Sequence, residues 1–286
     1  MKLSIITINY NNADSLRKTL ASIAEQTYRD IEHIIIDGGS IDGSVEVIKE
    51  YVRTNPNNDP FFKHTIKWVS EKDSGIYNAM NKGIRKATGA YVQILNSGDI
   101  LASPDVTERM IDTLLTLNIK HSTENVSILY GNMVKFDYSN NRILGKSKEV
   151  EYSLRQYFTS TMNHDCCYFR RDLFETYGLY DENLKIVSDW KWFLQAIGLG
   201  HVKPEYVDID VTIFDASGIS ETNLALRNQE RRQVLEELLP PAILADYDAH
   251  AFEIEQMNRL RRRHLYGLVY FIERVLFKLE KWGILK

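Results

Sequence analysis

Two kinds of apolar pattern alternate over the first hundred residues. Short runs of β-branched and aliphatic residues recur at 2–9 (KLSIITIN), 33–38 (HIIIDG), 65–71 (TIKWVSE) and 90–95 (AYVQIL), and each predicts a strand. Between them, apolar positions fall three or four apart: Leu16, Leu20 and Ile23 within 13–26, Val45, Ile48 and Val52 within 42–53, and Ile76, Met80, Gly83 and Ala87 within 74–87. That spacing predicts helices. The resulting βαβαβαβ order implies a parallel sheet with helices on both faces, an α/β fold.

Beyond residue 100 the alternation loosens. A helix is expected over about 104–117, then a strand-rich hairpin turning at Ser139-Asn140-Asn141. A strand at 165–170, a helix at 188–198 and one or two strands within 202–214 follow. From about 221 the pattern is wholly helical, broken at Pro240-Pro241. The expected organisation is therefore an α/β domain over 1–220 and a helical extension over 221–286.

Open α/β sheets bind ligands beyond the carboxyl ends of their strands. The first strand ends in Thr7, Asn9 and Tyr10, and the second in Asp37-Gly38-Gly39-Ser40. The third is followed by Glu71-Lys72-Asp73-Ser74-Gly75, and the fourth by Asn96-Ser97-Gly98-Asp99. Small and polar residues thus gather at every strand end, as a pocket for a polar ligand requires. The chain contains no GxxxxGK[ST] phosphate loop, and Tyr10-Asn11-Asn12 stand where a dinucleotide fold needs glycines.

Charge adds one feature. The 286 residues carry a net charge of −4, which excludes an overall nucleic-acid footprint. Residues 259–286, however, carry eight basic side chains against Glu273 and Glu280, so the tail is +6 and the rest −10. Its Leu265, Leu268, Ile272, Leu276 and Leu279 fall close to helical spacing. A basic amphipathic helix of this kind suits an anionic membrane surface, or else packs on the protein with solvated arginines. No stretch of about 18 apolar residues suggests a spanning helix. The adjacent Cys166 and Cys167 are too few for a disulfide framework and fit a reducing compartment.

Three segments, TINYNNADSLRKTLASIAEQ, IIIDGGSIDGS and EKDSGIYNAMNKGIRKATGAYVQILNSGD, together resemble the family 2 glycosyltransferases of GT-A fold. The resemblance runs in order over roughly residues 1–220. It implies a donor-nucleotide half at 1–100 and an acceptor half at 101–220. It implies an inverting transfer from a nucleotide sugar, usually UDP-linked, to a hydroxyl of a glycan or lipid-linked glycan destined for a surface polysaccharide. Thr7, Asn9, Tyr10, Asp37, Asp73 and Asn96 would bind the donor, with Asp37 accepting from the base. Asp99 stands in the place of the family's metal motif and would share Mn²⁺ or Mg²⁺ with the diphosphate, although Asn96 and Gly98 replace carboxylates there. Asp189, in Ser188-Asp189-Trp190, would be the catalytic base. His164 and Trp190 would lie near the acceptor, and the loop 215–220 would close over the diphosphate. The expected location is the cytoplasm, peripheral to the inner face of the cell membrane.

Several of these residues have plainer readings. Asp73 and Ser188 are each suited to cap the helix that follows, Lys82 to stand in solvent, and the cysteines and tryptophans to fill the core. Two other functions compete with the transferase. A sugar nucleotidyltransferase would need a glycine-rich basic loop after the first strand, which NYNNADSL lacks. A non-catalytic nucleotide-sugar-binding relative would tolerate the incomplete metal motif.

Overall fold

The computed structural model describes residues 1–55, 64–121, 125–137, 140–150, 154, 157, 161–215, 223–262 and 266–281. β1 (Leu3–Asn9) and β2 (Ile31–Asp37) are buried at all seven positions each, as strands covered on both faces should be. α1 (Ala13–Ala24), α2 (Ser44–Thr54) and α3 (Ile76–Lys86) alternate with them and with β3 (Thr65–Ser70) and β4 (Tyr91–Ile94). β3, β2, β1 and β4 lie side by side in parallel. The register sets Asn9 beside Asp37 and Asp37 beside Ser70, so three strands end in one row.

The second half changes direction. The two-residue β5 (Ile100–Leu101) and α4 (Val106–His121) lead to the hairpin of β6 (Ile128–Asp137) and β7 (Arg142–Lys146). A 3₁₀ turn (His164–Cys166) enters β8 (Cys167–Arg170), which pairs antiparallel with both β4 and β6. After α5 (Leu173–Thr176) and α6 (Ser188–Phe193), which runs on into a π-turn (Leu194–Gly198), β9 (Pro204–Asp215) lies parallel to β6 and antiparallel to β5. The order across the nine strands is β3-β2-β1-β4-β8-β6-β9-β5, with β7 beside β6. Because β8 runs backwards, the residues that precede it share the rim formed by the carboxyl ends of β1 to β4.

Two apolar clusters hold the layers. One joins Leu3, Ile5, Tyr91 and Leu129 to Met110 and Ile111 of α4, and the other joins Leu16 and Leu20 of α1 to Ile35, Val47, Ile48 and Ile66. Cys166 and Cys167 are free and buried, and both thiols donate to the Asn163 carbonyl.

The chain divides into a compact unit of Met1–Arg231 and a second of Arg232–Lys286. The first extends past the expected boundary at 220 because α7 (Leu224–Leu238) begins inside it. Glu230 of α7 is buried, and its carboxylate accepts from the backbone N–H groups of Lys185 (2.7 Å), Ile186 (2.9 Å) and Val187 (3.3 Å). The second unit holds the end of α7, α8 (Pro241–Arg262) and α9 (Tyr266–Lys281). There Arg232 forks onto Asp248 at 2.8 and 2.9 Å. Leu268, Phe271, Ile272 and Leu276 of α9 are exposed, as are Tyr270 and Phe277. No described helix is long and apolar enough to cross a membrane.

A buried carboxylate ties the donor-side strands together. Glu32, 1% exposed, accepts from Ser4 Oγ on β1 (2.6 Å), Lys67 Nζ on β3 (2.5 Å), and Thr88 N and Oγ1 before β4 (2.7 and 2.9 Å). Burial works to raise its pKa, but the Lys67, Ser4 and Thr88 donors overcome it and bring the group from 4.5 down to about 2. A carboxyl depressed on folding contributes stability that is fully present above pH 4.5 and is lost as pH falls toward 2. Glu32→Gln is expected to unfold at lower urea concentration at pH 7, and to lose less stability than wild type between pH 4.5 and 2.5. Parallel pH dependences for the two proteins would contradict this role.

Candidate active site

A cleft of about 970 Å³ opens along the rim, and its contributors follow strand order. Asp73 follows β3, Gly38 and Gly39 follow β2, Asn9 and Tyr10 end β1, and Asn96 to Asp99 follow β4. His164 precedes β8, Asp189 opens α6 and Phe214 closes β9. Asp73, Asp99 and Asp189 therefore share one cavity.

Two expected donor residues lie behind its wall. Thr7 is wholly buried and hydrogen-bonds His33 Nε2 at 3.0 Å. Asp37 is also wholly buried, and its four acceptor positions are taken. Oδ1 accepts from Asn9 Nδ2 (2.8 Å) and Ser40 Oγ, and Oδ2 accepts from Ser40 N (2.9 Å) and Ser70 Oγ (2.6 Å). Burial works to raise the Asp37 pKa, and these donors hold it below the usual carboxylate value. Neither side chain lines the cleft. In this arrangement the Asp37 lone pairs are spent on ordering the turn.

The carboxylate in that part of the cleft is Asp73. A Cβ placed on Gly38 would stand 3.1 Å from Asp73 Oδ2 and 3.1 Å from the Tyr10 ring, so Gly38 leaves space that Asp73 and Tyr10 border. Oδ1 of Asp73 accepts from Lys82, which also pairs with Glu71 at 2.8 Å. Lys82 is thus paired rather than solvated. Asp73 does not cap α3, whose N-cap is Gly75.

Asn96-Ser97-Gly98-Asp99 is a pinned turn. Thr19 Oγ1 accepts from Gly98 N (2.9 Å) and donates to the Asp99 carbonyl (2.8 Å), while Ser97 N donates to the Ile8 carbonyl (3.0 Å). Gly98 has φ +111°, a backbone position open to glycine. Asp99 is 5% exposed and borders the cleft, and Asn96 Oδ1 is buried without a hydrogen-bond partner. One carboxylate and one unsatisfied amide oxygen fit a hard divalent cation that takes its other ligands from a diphosphate and water. Among the described residues no group of three or more His, Cys, Asp or Glu side chains makes a metal cage.

Asp189 is held from two sides. Tyr77 Oη on α3 donates to Oδ1 at 2.9 Å, and His164 Nδ1 contacts Oδ2 at 3.1 Å. His164 Nε2 lies 3.2 Å from Asn96 Nδ2. Burial pushes the His164 pKa down, but the hydrogen bond and charge of Asp189, with the charges of Asp165 and Asp99, bring it up to about 8. Burial works to raise Asp189 in turn. His164, Tyr77 and the Trp190 N–H outweigh it and keep the carboxyl below its ordinary value, so it is ionised at neutral pH. Tyr77 is pushed well above its usual pKa by burial and by the neighbouring negative charge, so it remains a donor.

Ser188 does not cap α6; Val187 occupies that position, and Ser188 Oγ is buried without a partner. Glu230 serves the segment before α6 from across the sequence. Trp190 and Trp192 are both core residues, 1% exposed, donating to the carbonyls of Tyr157 (2.7 Å) and Gly178 (2.9 Å). Residues 216–220 of the expected closing loop lie outside the described residues. Sequence reasoning missed Tyr77, although it opens the helix after Asp73, and Glu230, whose only signal is an acid on the inner face of a helix.

A family model described as "Glycosyl transferase family 2" matches residues 4–178. An uncharacterized glycosyltransferase of Mycobacterium tuberculosis is 30% identical over 223 residues, 76% of each chain. A "PGL/p-HBAD biosynthesis glycosyltransferase" of Mycobacterium bovis is 27% identical over 220 residues, 77% of this chain and 79% of the other. Among solved structures, S. aureus TarS 1–349 in complex with UDP-GlcNAc superposes with TM-score 0.64 at 19% identity, covering 91% of this chain and 75% of that one. The match to the longer TarS chain spans 42% of its length. A mannosyltransferase from Pyrobaculum calidifontis, in complex with GDP-Man and Mn²⁺, superposes with TM-score 0.58 at 17% identity over 88% of this chain and 69% of the other. These structural likenesses concern the GT-A fold.

The contact that delivers Tyr77 to Asp189 can be tested by stability. Asn81 on α3 is buried; its Nδ2 donates to the Tyr180 carbonyl (2.8 Å) and its Oδ1 accepts from Tyr180 N (3.0 Å). Asn81→Ala strands both backbone groups and is expected to cost ~1–3 kcal/mol, measured as a lower urea midpoint at unchanged m-value. An unchanged midpoint would show that α3 is docked by other contacts.

Proposed function

The chain belongs to glycosyl transferase family 2, and on that premise we propose that it is an inverting enzyme moving a sugar from a UDP-linked donor to a hydroxyl of a glycan or lipid-linked glycan. The observation that carries this reading is an ionised carboxylate, Asp189, facing the same cleft as Asp73 and Asp99.

In this reading uracil lies against Tyr10, and its N3–H donates to Asp73 Oδ2. The Asn9, Ser40 and Ser70 bonds to Asp37 keep the loop shaped for it without touching it. Thr7 supports the wall through His33. Asp99 and Asn96 Oδ1 would hold Mn²⁺ or Mg²⁺, which when bound neutralises charge on the departing diphosphate. The acceptor hydroxyl attacks the anomeric carbon from the face opposite the diphosphate. As the sugar–phosphate bond breaks, the hydroxyl proton passes to Asp189. Tyr77 and His164 each donate to one oxygen of that carboxylate and the Trp190 backbone N–H adds a third bond, which leaves one lone pair to receive the proton. The two donors fix the carboxylate's orientation and keep it charged until the alkoxide forms. A base so depressed is effective only when proton transfer is late, as the leaving diphosphate has largely departed.

The relatives support an acceptor in surface glycolipid or polysaccharide synthesis: the M. bovis protein is named for glycolipid biosynthesis. The +6 charge of 259–286 and the exposed Leu268, Phe271, Ile272 and Leu276 of α9 support attachment to an anionic inner membrane face. The side chains of 262–266 and the residues 282–286 lie outside the described ones.

Two outcomes test this reading. Asp189→Asn keeps the shape but removes the base, putting an amide NH2 in place of one acceptor oxygen. UDP-sugar binding by calorimetry should be unchanged while turnover falls at least about a hundredfold; turnover within tenfold of wild type would assign the base elsewhere. Deleting 259–286 should release the protein from sedimenting phosphatidylglycerol-rich vesicles at physiological salt. A full-length chain that never sediments with them would remove the membrane proposal.

A further inference from the structure

Asp189 is the second residue of α6, which has six residues before its π-turn. A helix so short does not hold its own direction in water. Its usual cap is missing too. Val187 stands at the N-cap without a side-chain bond, and Ser188 Oγ is buried without a partner. The direction in which Asp189 leaves the backbone therefore depends on what holds the chain just ahead of it.

That chain is held from α7. Glu230, 6% exposed, accepts from Lys185 N on Oε1 (2.7 Å) and from Ile186 N and Val187 N on Oε2 (2.9 and 3.3 Å). Three successive N–H groups aimed at one buried anion are fixed in direction, because tilting any of them weakens a charge-assisted bond. The last of the three lies two residues before Asp189. Lys185 and Ile186 also line the large cleft, so the same clamp shapes the wall beside the base. A separate contact keeps α7 against α6: the Arg231 guanidinium lies 5.2 Å from the centre of the Trp190 ring, on the residue after Asp189. Asp189 is thus fixed at both ends, by Tyr77 and His164 at its oxygens and by Glu230 at its backbone.

From this geometry we propose that Glu230 is a positioning residue of the transfer reaction, setting the direction in which Asp189 receives the acceptor's proton. The inference rests on the transferase reading, in which Asp189 is the base. Glu230 lines neither cavity, so it acts through the backbone of 185–187 and not on a substrate. A general base works only within hydrogen-bond reach of the proton it takes, and a displacement of about 1 Å can cost roughly a hundredfold in rate. Glutamine in place of Glu230 keeps the length but exchanges one acceptor oxygen for an NH2. That group cannot accept from a backbone N–H, so at least one of the three bonds is lost and the segment is free to tilt.

The test uses the full chain. UDP affinity is measured by calorimetry, and turnover as UDP release from UDP-glucose, UDP-galactose and UDP-N-acetylglucosamine with water as the acceptor. Glu230→Gln should lower kcat at least about tenfold and leave UDP affinity within about twofold. Glu230→Asp keeps the charge but draws it back by one methylene, and should fall between wild type and the glutamine variant. The same glutamine change made in Asp189→Asn should cost less than about a further twofold, because the base it orients is already gone. A tenfold loss in both backgrounds, or a parallel fall in UDP affinity, would make Glu230 a general support of the fold and overturn the inference. A crystal structure of the Glu230→Gln chain decides the same point without turnover. Asp189 should have left Tyr77 Oη or His164 Nδ1, and contacts kept at 2.9 and 3.1 Å would overturn the inference. If the glutamine variant does not fold, Glu230→Asp carries the same measurements. A wild-type chain that binds UDP but releases none from any of the three donors would count against the transferase reading, while the variant structure still shows whether Glu230 sets Asp189.

Discussion

The structure turns on one carboxylate held by groups from the two halves of the sheet. Tyr77 reaches Asp189 from a helix of the parallel half, and His164 reaches it from the turn that opens the first antiparallel strand. An isolated carboxyl this well buried would drift toward its neutral form. The Tyr77 hydroxyl, the His164 imidazole and the Trp190 backbone N–H reverse that, so the fold must keep both halves in register for the group to stay charged. Asn81 secures one half by bridging Tyr180, and Glu230 secures the other by gripping the backbone before α6. The apolar clusters supply most of the stability, but these polar ties set the angle at which Asp189 meets the cleft.

That arrangement sets the Asp189–His164 pair between two cavities. In the larger one the wall carries Asp73, Asn96 and Asp99, and uracil recognition and cation binding both use such oxygen acceptors. In the smaller one charges of both signs meet, Lys135, Arg227 and Arg231 beside Asp99 and Asp165.

The parallel half was legible because β1, β2 and β4 are short segments rich in isoleucine and valine, the local mark of a strand covered on both faces. β5 was not, since two residues carry no period; its existence depends on pairing with β9. The carboxylates illustrate the same limit. Asp37 and Asp73 both follow strands, and nothing local distinguishes the one turned inward. Ser40 and Ser70 claim Asp37, while the absent side chain of Gly38 leaves room beside Asp73. Ser188 has the residue type of a cap yet makes no cap bond, while Glu230, more than forty residues on, holds the backbone N–H groups just before it. Arg227 and Arg231 lay in a segment read only as an extension, and their place beside Asp189 emerges from where α7 is docked.

A structure determined with a UDP-sugar and Mn²⁺ bound tests the central claim most directly. It should show uracil between Tyr10 and Asp73, the diphosphate at Asp99, and the anomeric carbon turned toward Asp189 with room for one hydroxyl between them. A nucleotide seated elsewhere, or an anomeric carbon directed away from Asp189, would contradict the account.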